Sequence, residues 1–238
     1  MIQTILFDLD GTLLPMDQDE FTRAYLGLLC RTFAPFGYEP KLLTTAVWKG
    51  LEAMVKNTSS LTNEAVFWNE FEARMGRPVT GEERQRFDRF YSTDFHRAAE
   101  VCHPTPAAGE LVQALKHKGL RVVLATLPAF PLTAIRSRLS WAGIDPEWFD
   151  HITSYENCTR CKPDPAYYRE ILTTLSLRPE ECLMIGNNVD EDMIACTLGI
   201  TGFLMTPCLI NEHGADISAY LQGGFEELQA YLQSRELL

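Results

Sequence analysis

The chain has 238 residues, of which 46% are hydrophobic and 22% charged. Those proportions belong to an ordinary globular protein and exclude disorder, a collagen-like repeat or a coiled coil as the whole molecule. A net charge of −11, from 21 basic and 32 acidic side chains, opposes binding to nucleic acid or an anionic membrane surface, but leaves room for a small anion in a locally positive pocket.

The first predicted element is a strand over residues 4–7, a short apolar run ending in the polar turn Asp8-Leu9-Asp10-Gly11-Thr12. From Asp17 to about Ala99 glycine is sparse and apolar residues recur at helical spacing, as in Phe21, Tyr25, Leu28 and Leu29. Four or five helices and no strand are expected there, two of them over 64–75 and 82–95. After Pro104 the pattern alternates. Helices are predicted over 109–118, 131–142, 165–175, 191–198 and 225–233, and strands over 120–125, 151–154, 182–185 and 201–205. Gly119 and Gly143 close two of the helices. Alternating helices and near-continuously apolar strands describe an α/β fold, a Rossmann-like parallel sheet with helices on both faces.

No run approaches the ~20 apolar residues of a membrane span. Residues 1–10 carry Asp8 and Asp10 where a signal peptide would be apolar, so a cytoplasmic protein is expected. Seven irregularly spaced cysteines do not form a disulfide framework. Cys158 and Cys161 make a C-x-x-C without a second pair, which reads as free thiols and not as structural zinc.

Polar residues fall where each strand ends, the place where open α/β sheets bind ligands. Asp8 and Asp10 follow the first strand; they suit a metal, a nucleophile or a plain acidic turn. Thr126 ends the second strand, where a hydroxyl and free backbone N–H groups could meet phosphoryl oxygens. Lys162 lies in the loop after the third, and Gly186-Asn187-Asn188-Val189-Asp190-Glu191-Asp192 follows the fourth. Acidic groups in that last segment suit either a helix N-terminus or an oxygen-ligated magnesium. Each feature alone is ambiguous. Their order along the chain is the signal.

Taken together, Asp8-Leu9-Asp10-Gly11-Thr12-Leu13, the strand ending in Thr126, Lys162-Pro163-Asp164-Pro165, and Gly186-Asn187 with Asp192 resemble a haloacid dehalogenase-like superfamily hydrolase with a helical cap inserted after the first strand. The resemblance spans the chain. It implies a core of residues 1–15 and 101–238, a cap of residues 16–100, and a magnesium-dependent phosphatase acting on small phosphorylated metabolites. Asp8 would be the nucleophile and Asp10 the general acid and base. Thr126, Leu127 and Lys162 would hold the substrate. Mg²⁺ would be bound by Asp8, the Asp10 carbonyl, Asn187 and Asp192. An acid at position 10 is absent from the family's dehalogenases and from members that cleave carbon–phosphorus bonds. A sugar-phosphate mutase of the same family keeps that acid and is the first alternative. The second is an inactive relative that binds a phosphometabolite or a partner.

The chain departs from the resemblance twice. Asn187 stands where an aspartate is usual, and Leu127 where an asparagine is usual. Within the insertion, Arg23, Trp48, Lys49, Lys56 and Arg74 read as surface or packing residues. The partner expected is a small phosphorylated substrate, with no nucleic acid and no membrane, for a monomer or homodimer.

Overall fold

The structure, a computed structural model, describes residues 1–238. Six strands, β1 (Thr4–Phe7), β2 (Arg121–Leu124), β3 (His151–Ile152), β4 (Cys182–Gly186), β5 (Thr201–Met205) and β6 (Leu221–Gly223), form one sheet. Every pairing is parallel and the order is β3-β2-β1-β4-β5-β6. The order reverses direction at β1, so the crevice between β1 and β4 is the place where such sheets take ligands. Phe7 registers with Leu124 on one side and Ile185 on the other. The loops after β1, β2 and β4 therefore emerge side by side.

Both faces of the sheet are buried. Ile5, Phe7, Val122, Leu124, Leu183 and Ile185 point into one apolar cluster. Leu6, Val123, Ala125, Cys182 and Met184 point into another on the opposite face. This is the two-residue alternation of a strand with apolar residues at every position.

Between β1 and β2 the chain is helical: α1 (Gln18–Phe33), α2 (Pro40–Val55), α3 (Asn63–Met75), α4 (Gly81–Ser92) and a 3₁₀ stretch over Asp94–Val101. The starts are built from side-chain caps. Asp17, Glu39, Thr62 and Thr80 each accept backbone N–H groups, and Thr80 with Glu83 closes a capping box. On α1 the buried stripe is Phe21, Tyr25, Leu28, Leu29 and Phe33, which faces inward. Phe21, Tyr25 and Tyr91 pack on Phe130, and Phe95 packs on Trp141. One apolar cluster consequently runs from the sheet into the inserted helices.

The remaining helices, α5 (Pro106–His117), α6 (Leu132–Trp141), α7 (Pro165–Thr174) and α8 (Phe225–Ser234), alternate with the strands. No helix is long and apolar enough to cross a membrane.

Two local expectations need correction, and one strand goes unpredicted. The helix predicted over 191–198 is a 3₁₀ turn over Met193–Leu198. Residues 188–192 are held as a turn instead, because the Asn188 side chain accepts from the N–H groups of Asp190 and Glu191. The helix predicted to reach residue 95 stops at Ser92 and tightens into the 3₁₀ stretch. β6 has no apolar run to announce it and exists as an edge strand because its backbone pairs with β5.

Candidate active site

Asp8 leaves β1 with its N–H donated to the Ile185 carbonyl at 2.9 Å. The chain then turns sharply. Gly11 sits at φ +84°, and a Cβ there would lie 2.4 Å from the Asn187 Nδ2. Both the backbone conformation and the close approach demand glycine. Thr12 donates its hydroxyl to Asn187 Oδ1 at 2.9 Å, and Asn187 Nδ2 donates to the Cys208 carbonyl at 2.7 Å. Asn187 thus ties the first loop to the fourth, with both ends of its amide engaged.

Lys162 is fully buried and bridges two carboxylates. Its Nζ donates to Asp8 Oδ1 at 2.9 Å and to Asp192 Oδ1 at 2.6 Å. Burial works against its charge, but Asp192 and Asp8 overcome that and hold its pKa above the ordinary lysine range. The other Asp192 oxygen accepts the Asn188 N–H at 2.9 Å. Gly186 makes this possible, since a Cβ there would meet the Asp192 carboxylate at 2.2 Å. Burial pushes the pKa of Asp192 upward, with the Asp8 charge adding and Lys162 opposing.

Asp10 pairs through Oδ2 with Arg138 of α6. Arg138 is completely buried, stands 4.4 Å from the centre of the Phe130 ring, and leaves its second terminal nitrogen without a partner. Asp10 Oδ1 is likewise unpartnered. Burial raises the Asp10 pKa, Arg138 pulls it back and Asp8 pushes it further up. Thr126 is fixed from behind: Thr153 and Tyr167 donate hydroxyls to its carbonyl at 2.9 and 2.8 Å.

A cavity of about 250 Å³ opens above these loops. Its floor carries Asp8, Asp10, Thr126, Asn187, Asn188 and Glu191, with Leu127 beside Thr126. Its walls come from the inserted helices together with Ala129, Phe130 and Pro131 after β2 and Tyr155 after β3. Burial pushes the Glu191 pKa up to about 7, against Lys162, with Asp192 and Asp8 reinforcing the rise.

Of the residues singled out in the sequence, Asp8, Asp10, Thr126, Leu127 and Asn187 meet at this floor. Lys162 and Asp192 lie beneath it, paired with each other and outside the cavity lining. Asn187 bonds Thr12 and Cys208, and Asp192 bonds Lys162 and the Asn188 N–H. No group of three or more His, Cys, Asp and Glu side chains is arranged to hold a metal. Of the five insertion residues named earlier, Trp48 alone lines the cavity. Lys49 and Lys56 pair with Glu52, and Arg74 with Glu70, on the surface. Cys158 and Cys161 are buried free thiols, and burial pushes the thiol of Cys161 up to about 12.

Sequence reasoning missed Arg138, Thr153 and Tyr167. Arg138 left one signal. It occupies the apolar stripe of α6 with Ala134, Ile135 and Leu139, where a charge needs a partner.

Residues 2–197 match the profile of the haloacid dehalogenase-like hydrolases. The chain belongs to that family. It is 25% identical over 168 residues to a phosphonoacetaldehyde hydrolase of Bordetella pertussis, covering 69% of this chain and 58% of that protein. It therefore spans less than two thirds of that relative's length. It is 27% identical over 187 residues to the pyrophosphatase PpaX of Bacillus cereus, covering 79% of this chain and 75% of the relative. Among solved structures, a predicted phosphoglycolate phosphatase from Haemophilus somnus superposes with a TM-score of 0.58 at 19% identity, over 98% of both chains. L-2-haloacid dehalogenases share the fold as well. The family and the parallel α/β fold agree with the resemblance carried by the four motifs.

Proposed function

We propose that the chain is a magnesium-dependent phosphatase that hydrolyses phosphate monoesters through a phosphorylated Asp8. The observation that carries this reading is the state of Asp8 at the cavity floor. One oxygen is held by Lys162, and the other is free to face a substrate. The phosphatase and pyrophosphatase names among the relatives agree with it.

In this reading the free Asp8 oxygen attacks phosphorus, and the bond from phosphorus to the leaving oxygen breaks. Asp10 gives that oxygen its proton. Asp10 then takes a proton from water, which attacks the phosphoryl-aspartate, releasing phosphate and restoring Asp8. Burial pushes the Asp10 pKa up, the direction a proton donor needs, with Arg138 opposing it. Thr126, its carbonyl clamped by Thr153 and Tyr167, presents its hydroxyl to a phosphoryl oxygen. Lys162 orients Asp8 from below.

The residues fit a divalent cation. With Asp10 holding its proton, Asp8, Glu191 and Asp192 still stand against only Lys162 and Arg138, an excess of one negative charge. Magnesium takes oxygen donors and keeps several waters, so it does not require three protein carboxylates. Asp8, the Asp10 carbonyl and Glu191 would hold it, Glu191 supplying the charge that Asn187 lacks. When bound, the ion would neutralise the repulsion between a carboxylate and a phosphoryl group. Residues 16–100 would act as the cap that shapes the leaving-group side, over a core of residues 1–15 and 101–238.

The test is phosphate release from a generic aryl phosphate, with and without magnesium, in the wild type and in Asp8→Asn. Release that needs magnesium and vanishes in Asp8→Asn is expected. Release that survives Asp8→Asn contradicts the reading. Transfer of phosphate between sugar positions without net release would assign a mutase instead.

A further inference from the structure

The cavity above Asp8 has an uneven chemistry. Its charged lining residues are Asp8, Asp10 and Glu191, all acidic and all at the floor. No lysine, arginine or histidine lines it. The upper walls are built from Tyr25, Trp48, Phe67, Trp68, Tyr91 and Phe130. The hydroxyls of Tyr25 and Tyr91 bond to each other at 2.9 Å, which leaves them less to offer a ligand.

The basic groups near this chamber are committed elsewhere. Arg138 is paired with Asp10. Arg84 pairs with Glu72 and stacks 4.5 Å from the Trp68 ring. Lys49 and Lys56 both reach Glu52. A leaving group with its own phosphate or carboxylate would meet acidic floor residues and no counter-charge, at a large desolvation cost. Above the floor the polar lining side chains, beyond the paired tyrosines, are Gln18, Thr22 and Tyr155, so a polyhydroxylated leaving group would bury more hydroxyls than find partners. An apolar one gains about 25 cal/mol for each Å² it removes from water.

We infer that the substrate is a phosphate monoester of an uncharged alcohol or phenol with an apolar, ring-sized body, which the aromatic chamber between the inserted helices and the loop after β2 selects. This rests on the phosphatase reading above and narrows its substrate class. The size agrees: about 250 Å³ must hold the phosphoryl group as well, and an apolar cavity of about 150 Å³ accepts one benzene ring. Trp48 lines the cavity while 48% exposed, which puts it at the mouth.

The experiment compares kcat/KM for benzyl phosphate and phenyl phosphate with that for phosphoglycolate, pyrophosphate and glucose 6-phosphate. Benzyl phosphate should exceed phosphoglycolate by at least about 100-fold, a ratio within the range that a single methylene commands in a fitted apolar pocket. Trp48→Lys should lower the benzyl phosphate value and raise the phosphoglycolate value. An anionic or sugar phosphate turned over as well as the benzyl ester overturns the inference on the wild type alone. Acetyl phosphate, too small to need the chamber, separates the two levels. If it phosphorylates Asp8 while the aromatic esters show no advantage, the substrate class is wrong and the phosphatase reading stands. If Asp8 is never phosphorylated and no ester turns over, the phosphatase reading fails and takes the substrate class with it.

Discussion

Arg138 reaches back 128 positions along the chain to pair with Asp10. The guanidinium is completely buried, and this carboxylate is its sole acidic partner. Removing the arginine would strand Asp10 without the group that opposes its desolvation. Arg138→Met should cost about 3 kcal/mol in urea unfolding. It should also move the Asp10-dependent limb of the pH–rate profile to higher pH, because the largest influence that lowers the Asp10 pKa is gone. An unchanged profile in a folded variant would show that Asp10 does not titrate in the reaction.

Lys162 offers a way to separate stability from chemistry. Lys162→Met leaves Asp8 and Asp192 facing each other with no cation between them. The expected loss is about 3 kcal/mol or more, since a broken buried pair leaves an uncompensated charge. Lys162→Met combined with Asp192→Leu should recover part of that stability, because an apolar pair can replace a buried ionic one. The double variant should remain inactive. Recovery of turnover along with stability would reduce Lys162 to a packing role.

Glu191 sets a pH dependence of stability in the metal-free protein. Its pKa rises from 4.5 to about 7 on folding, so the folded state holds the proton more tightly than the unfolded chain. Stability from this group is full below pH 4.5 and is lost as pH rises through about 7. The size is on the order of 1–3 kcal/mol. Glu191→Gln should flatten that slope and melt above the wild type at pH 8, as followed by thermal scans without divalent cations. Magnesium should raise the wild-type melting temperature at that pH more than that of the variant.

Gly11 and Asn187 form a contact that a double-mutant cycle can read. Gly11→Ala puts a Cβ into the Asn187 amide and strains a backbone at φ +84°. The expected cost is about 2–3 kcal/mol. Asn187→Ala removes the collision but also the bonds to Thr12 and Cys208. The double variant should be more stable than the sum of the single losses predicts. Strict additivity would mean that the two loops are not locked through this side chain.

The sheet was legible because each of its inner strands is a short apolar run ending in a polar turn, as in Thr4 to Asp8 and Cys182 to Asn187. Those turns also form the cavity floor, so Asp8, Asp10 and Thr126 could be brought together from the sequence alone. Arg138 was not legible as a functional residue. Its partner is remote in sequence, and helical spacing assigns it only to a buried stripe. The turn at 188–192 was hidden because Asn188 satisfies backbone N–H groups that a helix would leave free at its start. The burial of Lys162 under Asp8 depends on β3, β2, β1 and β4 lying in that order across the sheet, which no local pattern encodes.

The central claim is that Asp8 accepts a phosphoryl group. The most direct measurement is mass spectrometry of the protein quenched during turnover of acetyl phosphate with magnesium, followed by peptide mapping. The account predicts one added phosphoryl group, on the peptide holding Asp8 and absent from Asp8→Asn. A protein that turns over substrate with no phosphoryl group on Asp8, or with one on another residue, contradicts it.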